Sequence, residues 1–143
     1  MRGVFLDTST VTDGDVDLGP ISASLDTCTY NTLTAPADIA ATIQDADIVI
    51  SNKAVLDGTT IGTAHRLKLV CIAATGTNNV DLEAARAANI DVCNVRAYAT
   101  PSVVEHVFML LLALNRRLSE HIAAVNRGDW QHASRFSMLD FPF

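Results

Sequence analysis

Over the first hundred residues, short apolar runs alternate with amphipathic or Ala-rich stretches. Gly3-Val4-Phe5-Leu6, closed by Asp7, predicts a buried first strand. Cys28 to Leu33, with Thr and apolar residues interleaved, predicts a second. Asp47-Ile48-Val49-Ile50, Leu67 to Ala74 and Ile90 to Val95 predict three more. Between them, Asp13 to Leu25 is weakly amphipathic and interrupted by Gly19-Pro20, so a helix there is short or broken. Pro36 opens a helix with Thr34 as its N-cap and Ile39, Ala40 and Ile43 on one face. A short helix is expected over Gly62 to Arg66. Another follows the N-cap Asp81, with Leu82, Ala85 and Ala88 inward. Strands and helices in this alternation imply a five-stranded parallel sheet with helices on both faces and right-handed crossovers.

The pattern changes at Pro101. A single long helix is expected from there to about Asn126, with Thr100 as N-cap and Gly128 as its stop. Its first half is apolar nearly all round: Val103, Val104, Val107, Phe108, Met109, Leu110, Leu111 and Leu112. A domain this small cannot cover every side of such a rod, so a second body is expected against it. The stretch from Asp129 to Phe143 carries Trp130, Phe136, Phe141 and Phe143 without a period, which predicts an extended tail lying against something outside the sheet.

Composition narrows the picture. The 143 residues suffice for one compact domain, and 49% hydrophobic against 18% charged residues excludes a disordered chain. A net charge of −6 argues against a nucleic-acid or anionic-membrane partner but leaves a small anionic substrate open. Cys28, Cys71 and Cys93 have no C-x-x-C spacing and predict buried, reduced thiols rather than a metal site or disulfide framework. The Val107 to Leu114 run is too short to span a bilayer, and the N-terminus does not read as a signal peptide, so a cytoplasmic protein is expected.

In such sheets ligands bind beyond the carboxyl ends of the strands. Those ends carry Asp7, Ser51-Asn52-Lys53 and Thr75-Gly76-Thr77-Asn78-Asn79. Gly76 would let the backbone approach a ligand, consecutive N–H groups there could hold an anion, and Thr75 and Thr77 add hydroxyls. The same residues also suit a plain strand-to-helix turn. Lys53 could pair with a carboxylate or simply be solvated. Glu105-His106 diverge by about 100° on a helix, so helix packing suits them better than acid–base work. No metal spacing is present, and neither G-x-G-x-x-G nor a phosphate-cradling P-loop occurs. By chemistry alone this is a carboxylate-binding α/β domain without a cofactor fingerprint or a proton donor.

The run ATGTNNVDLEAARAANIDVCNVRAYATPSVVEHVFMLLLALNRRL resembles the D-isomer-specific 2-hydroxyacid dehydrogenase family. The loop, Asp81, the Ala-rich helix, the Ile-Asp-Val-Cys-Asn strand, Ser-Val-Val-Glu-His and Arg116-Arg117 fall in family order. Ser51-Asn52-Lys53 and Gly128-Asp129-Trp130 are similar to the branch of glycerate dehydrogenases and hydroxypyruvate reductases. The resemblance implies a flavodoxin-like substrate-binding domain over residues 1–100, a linking and dimerisation helix over 101–127, and a tail over 128–143 leading toward a Rossmann cofactor domain that the chain lacks. It implies that the amides of Thr75, Gly76 and Thr77 hold the substrate carboxylate, with Lys53 close to it. Thr75 and Val103 match positions beside the nicotinamide of NAD or NADP, and Trp130 one that reaches a neighbouring subunit. The family's catalytic Arg, Glu and His have no counterpart before Phe143, so catalytic residues are expected outside this chain and the chain alone is expected to be inactive. A 2-keto or 2-hydroxy acid is the implied substrate and a homodimer the implied assembly. The rival reading is a stand-alone dimeric small-carboxylate binding module. A phosphoacceptor receiver domain shares the strand order but needs Asp where Ser51 ends the third strand.

Overall fold

A computed structural model describes residues 1–135 of the chain. The chain divides into two compact units, Met1–Ala97 and a second that begins at Tyr98. In the first unit, β1 (Arg2–Phe5), β2 (Thr27–Tyr30), β3 (Ile48–Ser51), β4 (Leu69–Ile72) and β5 (Asp91–Asn94) form one sheet in the order β2-β1-β3-β4-β5. Every pairing is parallel. Parallel strands need a crossover between them. These are supplied by α1 (Gly19–Ala23), α2 (Ile39–Ile43), α3 (Gly58–Thr63) and α4 (Leu82–Ala87).

The apolar runs divide their side chains between two faces, as the period of two requires. Val4, Leu6, Val49, Val70 and Ile72 pack with Ile39, Ile43, Ile61 and Ala85 of α2, α3 and α4 into the main core. On the opposite face, Pro20 and Ile21 of α1 and Leu25 just after it line an open apolar groove with Ile48, Ile50 and Cys71. Helices thus lie on both faces, with the second face only partly covered. Gly3 explains how α1's trailing segment comes so close to β1. A Cβ there would stand 2.4 Å from Leu25 Cδ1.

Several boundaries differ from the reading of the sequence, each for a local reason. Gly19-Pro20 opens α1 instead of breaking a helix, because Pro suits the first turn, where its missing N–H is not needed. Thr34 is not an N-cap: its hydroxyl donates to Leu6 O at 2.7 Å, and the segment after it begins as a 3-10 turn over Pro36–Asp38. The third helix begins at Gly58, ahead of the expected Gly62, because Asp57 caps it by accepting Thr60 N–H at 2.7 Å. Asp81 caps α4 as expected, accepting from Glu83 N and Ala84 N. The thiols are free but not buried: Cys28 and Cys71 are half-buried and Cys93 is exposed, because the groove face is open. Burial and the adjacent Cys93 sulfur, 3.5 Å away, push the Cys71 thiol up to about 12.

The second unit corrects the single long helix. It consists of α5 (Thr100–Asn115), α6 (Leu118–Asn126) and α7 (Asp129–His132). Arg117 sits in the left-handed region at φ 52°, and α6 starts immediately after it. The Arg117 guanidinium pairs with the Glu120 carboxylate one turn on, which anchors the first turn of α6 in its new direction. Thr100 is the first residue of α5, whose N-cap is Ala99. Gly128, at φ 78°, ends α6 in the conformation that glycine adopts most readily. No residue of α5 is buried, and Val103 through Leu114 includes nine large apolar side chains with 46–78% exposure. Phe136, Phe141 and Phe143 of the expected tail lie outside the described residues. No helix among those residues is long and apolar enough to cross a membrane.

One ion pair carries a pH dependence. Asp47, nearly buried at the amino edge of the sheet, accepts Arg2 N–H at 2.8 Å and the Arg66 guanidinium at 3.2 Å. The Arg2 amide and then Arg66 hold its carboxyl below the usual range, against the opposing effect of desolvation. A depressed value contributes stability above the ordinary carboxylate value of about 4 and loses it as pH falls through the folded value. Asp47→Asn is therefore expected to lower the urea midpoint at pH 7, with the gap to the parent closing below about pH 4. An undiminished gap at pH 3 would contradict this account.

Candidate functional site

The carboxyl edge of the sheet is built by two loops and one buried acid. Asp7 follows β1 and is fully buried. Its carboxyl accepts Asn52 N–H at 2.9 and 3.2 Å, Lys53 N–H at 2.6 Å, Ala54 N–H at 2.9 Å and the Ser51 hydroxyl at 3.3 Å. No basic side chain pairs with it among the described residues. A buried carboxyl is costly unless its oxygens are satisfied, and here the turn after β3 supplies the donors. Asn52 Nδ2 extends the link to Thr10 O at 2.9 Å and to Thr10 Oγ1 at 3.0 Å. Ser51, buried at the end of β3, is thus a structural hydroxyl.

The turn after β3 is joined to the turn after β4. Asn79 Nδ2 donates to Ala54 O at 3.0 Å, Leu56 N–H to Asn79 O at 2.8 Å, and Asp81 N–H to Leu56 O at 2.9 Å. Leu56 and Val80 form a parallel bridge there. From the other side, Asn94 at the end of β5 donates Nδ2 to Thr75 O at 2.7 Å, and Val95 N–H donates to Ala74 O at 3.0 Å. Thr75-Gly76-Thr77 is therefore held at both ends.

Between those anchors the loop's own donors are open. The N–H groups of Thr75, Gly76 and Thr77 make no hydrogen bond among the described residues, nor do the hydroxyls of Thr75 and Thr77. Thr75 and Gly76 are exposed and Thr77 half-buried. Gly76 is not left-handed, so its value lies in its bare surface. A Cβ would meet only Asn78 Oδ1, at 3.1 Å. Lys53 is exposed, and its ammonium has no ion pair among the described residues. Arg96, also exposed, follows β5 at the same edge.

The four residues expected to bind substrate, Lys53, Thr75, Gly76 and Thr77, therefore lie on two hydrogen-bonded turns of the first unit. Val103 on α5 and Trp130 on α7 belong to the second unit, with 57% and 52% exposure. Sequence reasoning placed Asp7 at this edge without a role and missed Asn79 and Asn94 as braces. All three act on residues distant in the chain, and no local pattern marks such bonds. No group of three or more potential metal ligands exists among the described residues. The residues present carry no dinucleotide fingerprint, so no hydride-transfer step can be derived from them. The arrangement can hold and orient an anion. It offers no nucleophile–base pair.

Residues 10–134 match the family described as D-isomer specific 2-hydroxyacid dehydrogenase, catalytic domain. The chain belongs to that family. It is 39% identical over 113 residues to a glycerate dehydrogenase of Methylorubrum extorquens, covering 79% of this chain and 36% of the relative. It is 30% identical over 144 residues to a hydroxypyruvate reductase of Blautia hydrogenotrophica, covering 99% and 45%. Among solved structures, the NAD-dependent formate dehydrogenase of Staphylococcus aureus in complex with NAD matches with a TM-score of 0.69 and 29% identity, over 90% of this chain and 41% of that one. The chain thus spans less than half the length of these relatives.

The braces have a measurable consequence. Asn94→Ala removes the bond to Thr75 O, and ¹⁵N relaxation is expected to show greater mobility at Thr75, Gly76 and Thr77 with β4 unchanged. Equal order parameters in the variant and the parent would show that Asn94 does not hold the loop.

Proposed function

We propose that this chain is the substrate-binding region of an NAD(P)-dependent D-2-hydroxyacid dehydrogenase acting on a small 2-keto acid such as hydroxypyruvate or glyoxylate. One observation carries the reading: three consecutive amides after β4, unbonded among the described residues yet in a loop anchored on both sides. Consecutive amides of this kind suit a carboxylate, and Lys53 on the joined turn adds a cation. Held by its carboxylate, a keto acid would present its carbonyl in one orientation, the step that binding contributes to hydride transfer. NAD or NADP would supply the hydride in the intact enzyme, and the proton donor and cofactor fingerprint would come from residues outside this chain. The relatives named glycerate dehydrogenase and hydroxypyruvate reductase support this substrate class. A cytoplasmic location is part of the same proposal.

The apolar surface of α5 supports a homodimer built on that helix, with Trp130 as an anchor at its rim. A second reading, a dimeric small-acid binding module without enzymatic activity, is favoured by the fact that Lys53 and the unbonded amides of Thr75, Gly76 and Thr77 all belong to the first unit. Binding there requires nothing from a cofactor. The two readings part on turnover by the intact protein.

Calorimetry tests the carboxylate site directly. The 143-residue chain is expected to bind hydroxypyruvate with a dissociation constant on the order of 1 mM, about 4 kcal/mol. Lys53→Ala is expected to weaken binding about tenfold, and an uncharged amide analogue should not bind. Equal binding of acid and amide would sink the assignment. The chain alone is expected not to oxidise NADH with hydroxypyruvate; turnover would reveal a cofactor site that its residues do not suggest. Sedimentation is expected to show self-association that Trp130→Ala weakens about tenfold. An unchanged dimer would leave the anchor unsupported.

A further inference from the structure

The Lys53 turn is shaped by an acid that cannot reach a ligand. Asp7 is fully buried, and its two oxygens take the three consecutive amides of Asn52, Lys53 and Ala54 together with the Ser51 hydroxyl. Such a turn has its N–H groups directed inward. It therefore offers an anion no backbone donor, and of its side chains only Lys53 is cationic. The shortest of these amide bonds, at 2.6 Å, is made by Lys53 itself. The neighbouring carbonyl, Ala54 O, is held by Asn79 of the Gly loop. The backbone of Lys53 is thus fastened to β1 on one side, and the next residue is fastened to the Gly loop on the other.

We infer that Asp7 and Asn79 are positioning residues for Lys53: a buried carboxyl and an amide brace that set the ammonium-bearing turn against the loop of Thr75, Gly76 and Thr77. The inference rests on the carboxylate-site reading and adds to it the origin of the site's geometry. A lysine on a free turn loses conformational freedom each time it meets a ligand. Fastening its backbone on both sides removes part of that cost in advance. Asn at position 7 has one acceptor oxygen and presents an NH2 group to donors, so it cannot serve the same set of N–H groups. Asn79→Ala removes only the Nδ2 bond to Ala54 O, while the backbone bond from Leu56 N–H to Asn79 O remains.

The test is a double-mutant cycle on the 143-residue chain, with hydroxypyruvate affinity as the readout and circular dichroism as the check on folding. Asp7→Asn is expected to weaken binding about fivefold and Asn79→Ala about threefold. Lys53→Ala, costing about tenfold in the parent, is expected to cost only about twofold in the Asp7→Asn background and about threefold in the Asn79→Ala background. A purely structural role would lower stability yet leave the Lys53→Ala factor the same in all backgrounds, and that result would overturn the inference. Parent-like affinity in both variants would overturn it too. Amide exchange gives a reading independent of ligand. In Asp7→Asn the amides of residues 52–54 should exchange at least tenfold faster while those of β3 and β4 do not, and unchanged protection would remove the clamp. If Asp7→Asn does not fold, the Asn79→Ala cycle decides alone by the same criterion. A parent chain that binds no hydroxypyruvate would defeat the site reading itself and this role with it. Normal parent binding with additive losses would defeat the positioning role alone.

Discussion

A backbone N–H at the end of a parallel strand has left the ladder and must find another acceptor, water or a ligand. At the carboxyl edge of this sheet the two central turns meet that requirement in opposite ways. After β3 the amides of residues 52–54 turn inward to a buried carboxyl, which the Ser51 hydroxyl also serves. After β4 the amides of residues 75–77 have no acceptor among the described residues. The first turn is thereby a fixed support, and the second is left with unspent donors.

The strand order makes the contrast meaningful. In a β2-β1-β3-β4-β5 sheet the reversal falls between β1 and β3, where open α/β sheets leave a crevice for a ligand. Here Asp7 fills that place with its own carboxyl. The unbonded amides lie one strand further on, and the Leu56–Val80 bridge joins the turn after β3 to the turn after β4. The lysine sits on the former and the free amides on the latter. The second unit presents a different kind of unspent surface: α5 exposes apolar side chains all round, a demand that burial against another body would meet and a small ligand would not.

Much of this was legible in the sequence. Central strands read as unbroken apolar runs, so Val4–Leu6, Ile48–Ile50 and Leu69–Ile72 announced themselves, and the Asp81 cap obeyed a rule local to four residues. The Gly loop was legible because Thr, Gly and Asn at a strand's end are the residues that leave amides accessible. Three things were not. The break at Arg117 involves neither Gly nor Pro, and a left-handed Arg has no sequence signature. Thr34 looked like a helix cap because its competing acceptor, Leu6 O, is 28 residues away in the chain. The roles of Asp7, Asn79 and Asn94 depend on partners 19 to 47 residues apart in the chain, brought together only once the sheet has formed.

The most direct measurement is a ¹H–¹⁵N correlation spectrum of the chain titrated with glyoxylate. If the open amides are the carboxylate's donors, the Thr75, Gly76 and Thr77 signals move downfield together, with one shared saturation curve, while Asn52 and Ala54, already bonded to Asp7, stay nearly still. Shifts confined to residues outside 75–77, or larger at 52–54 than at the loop, would contradict the account at its centre.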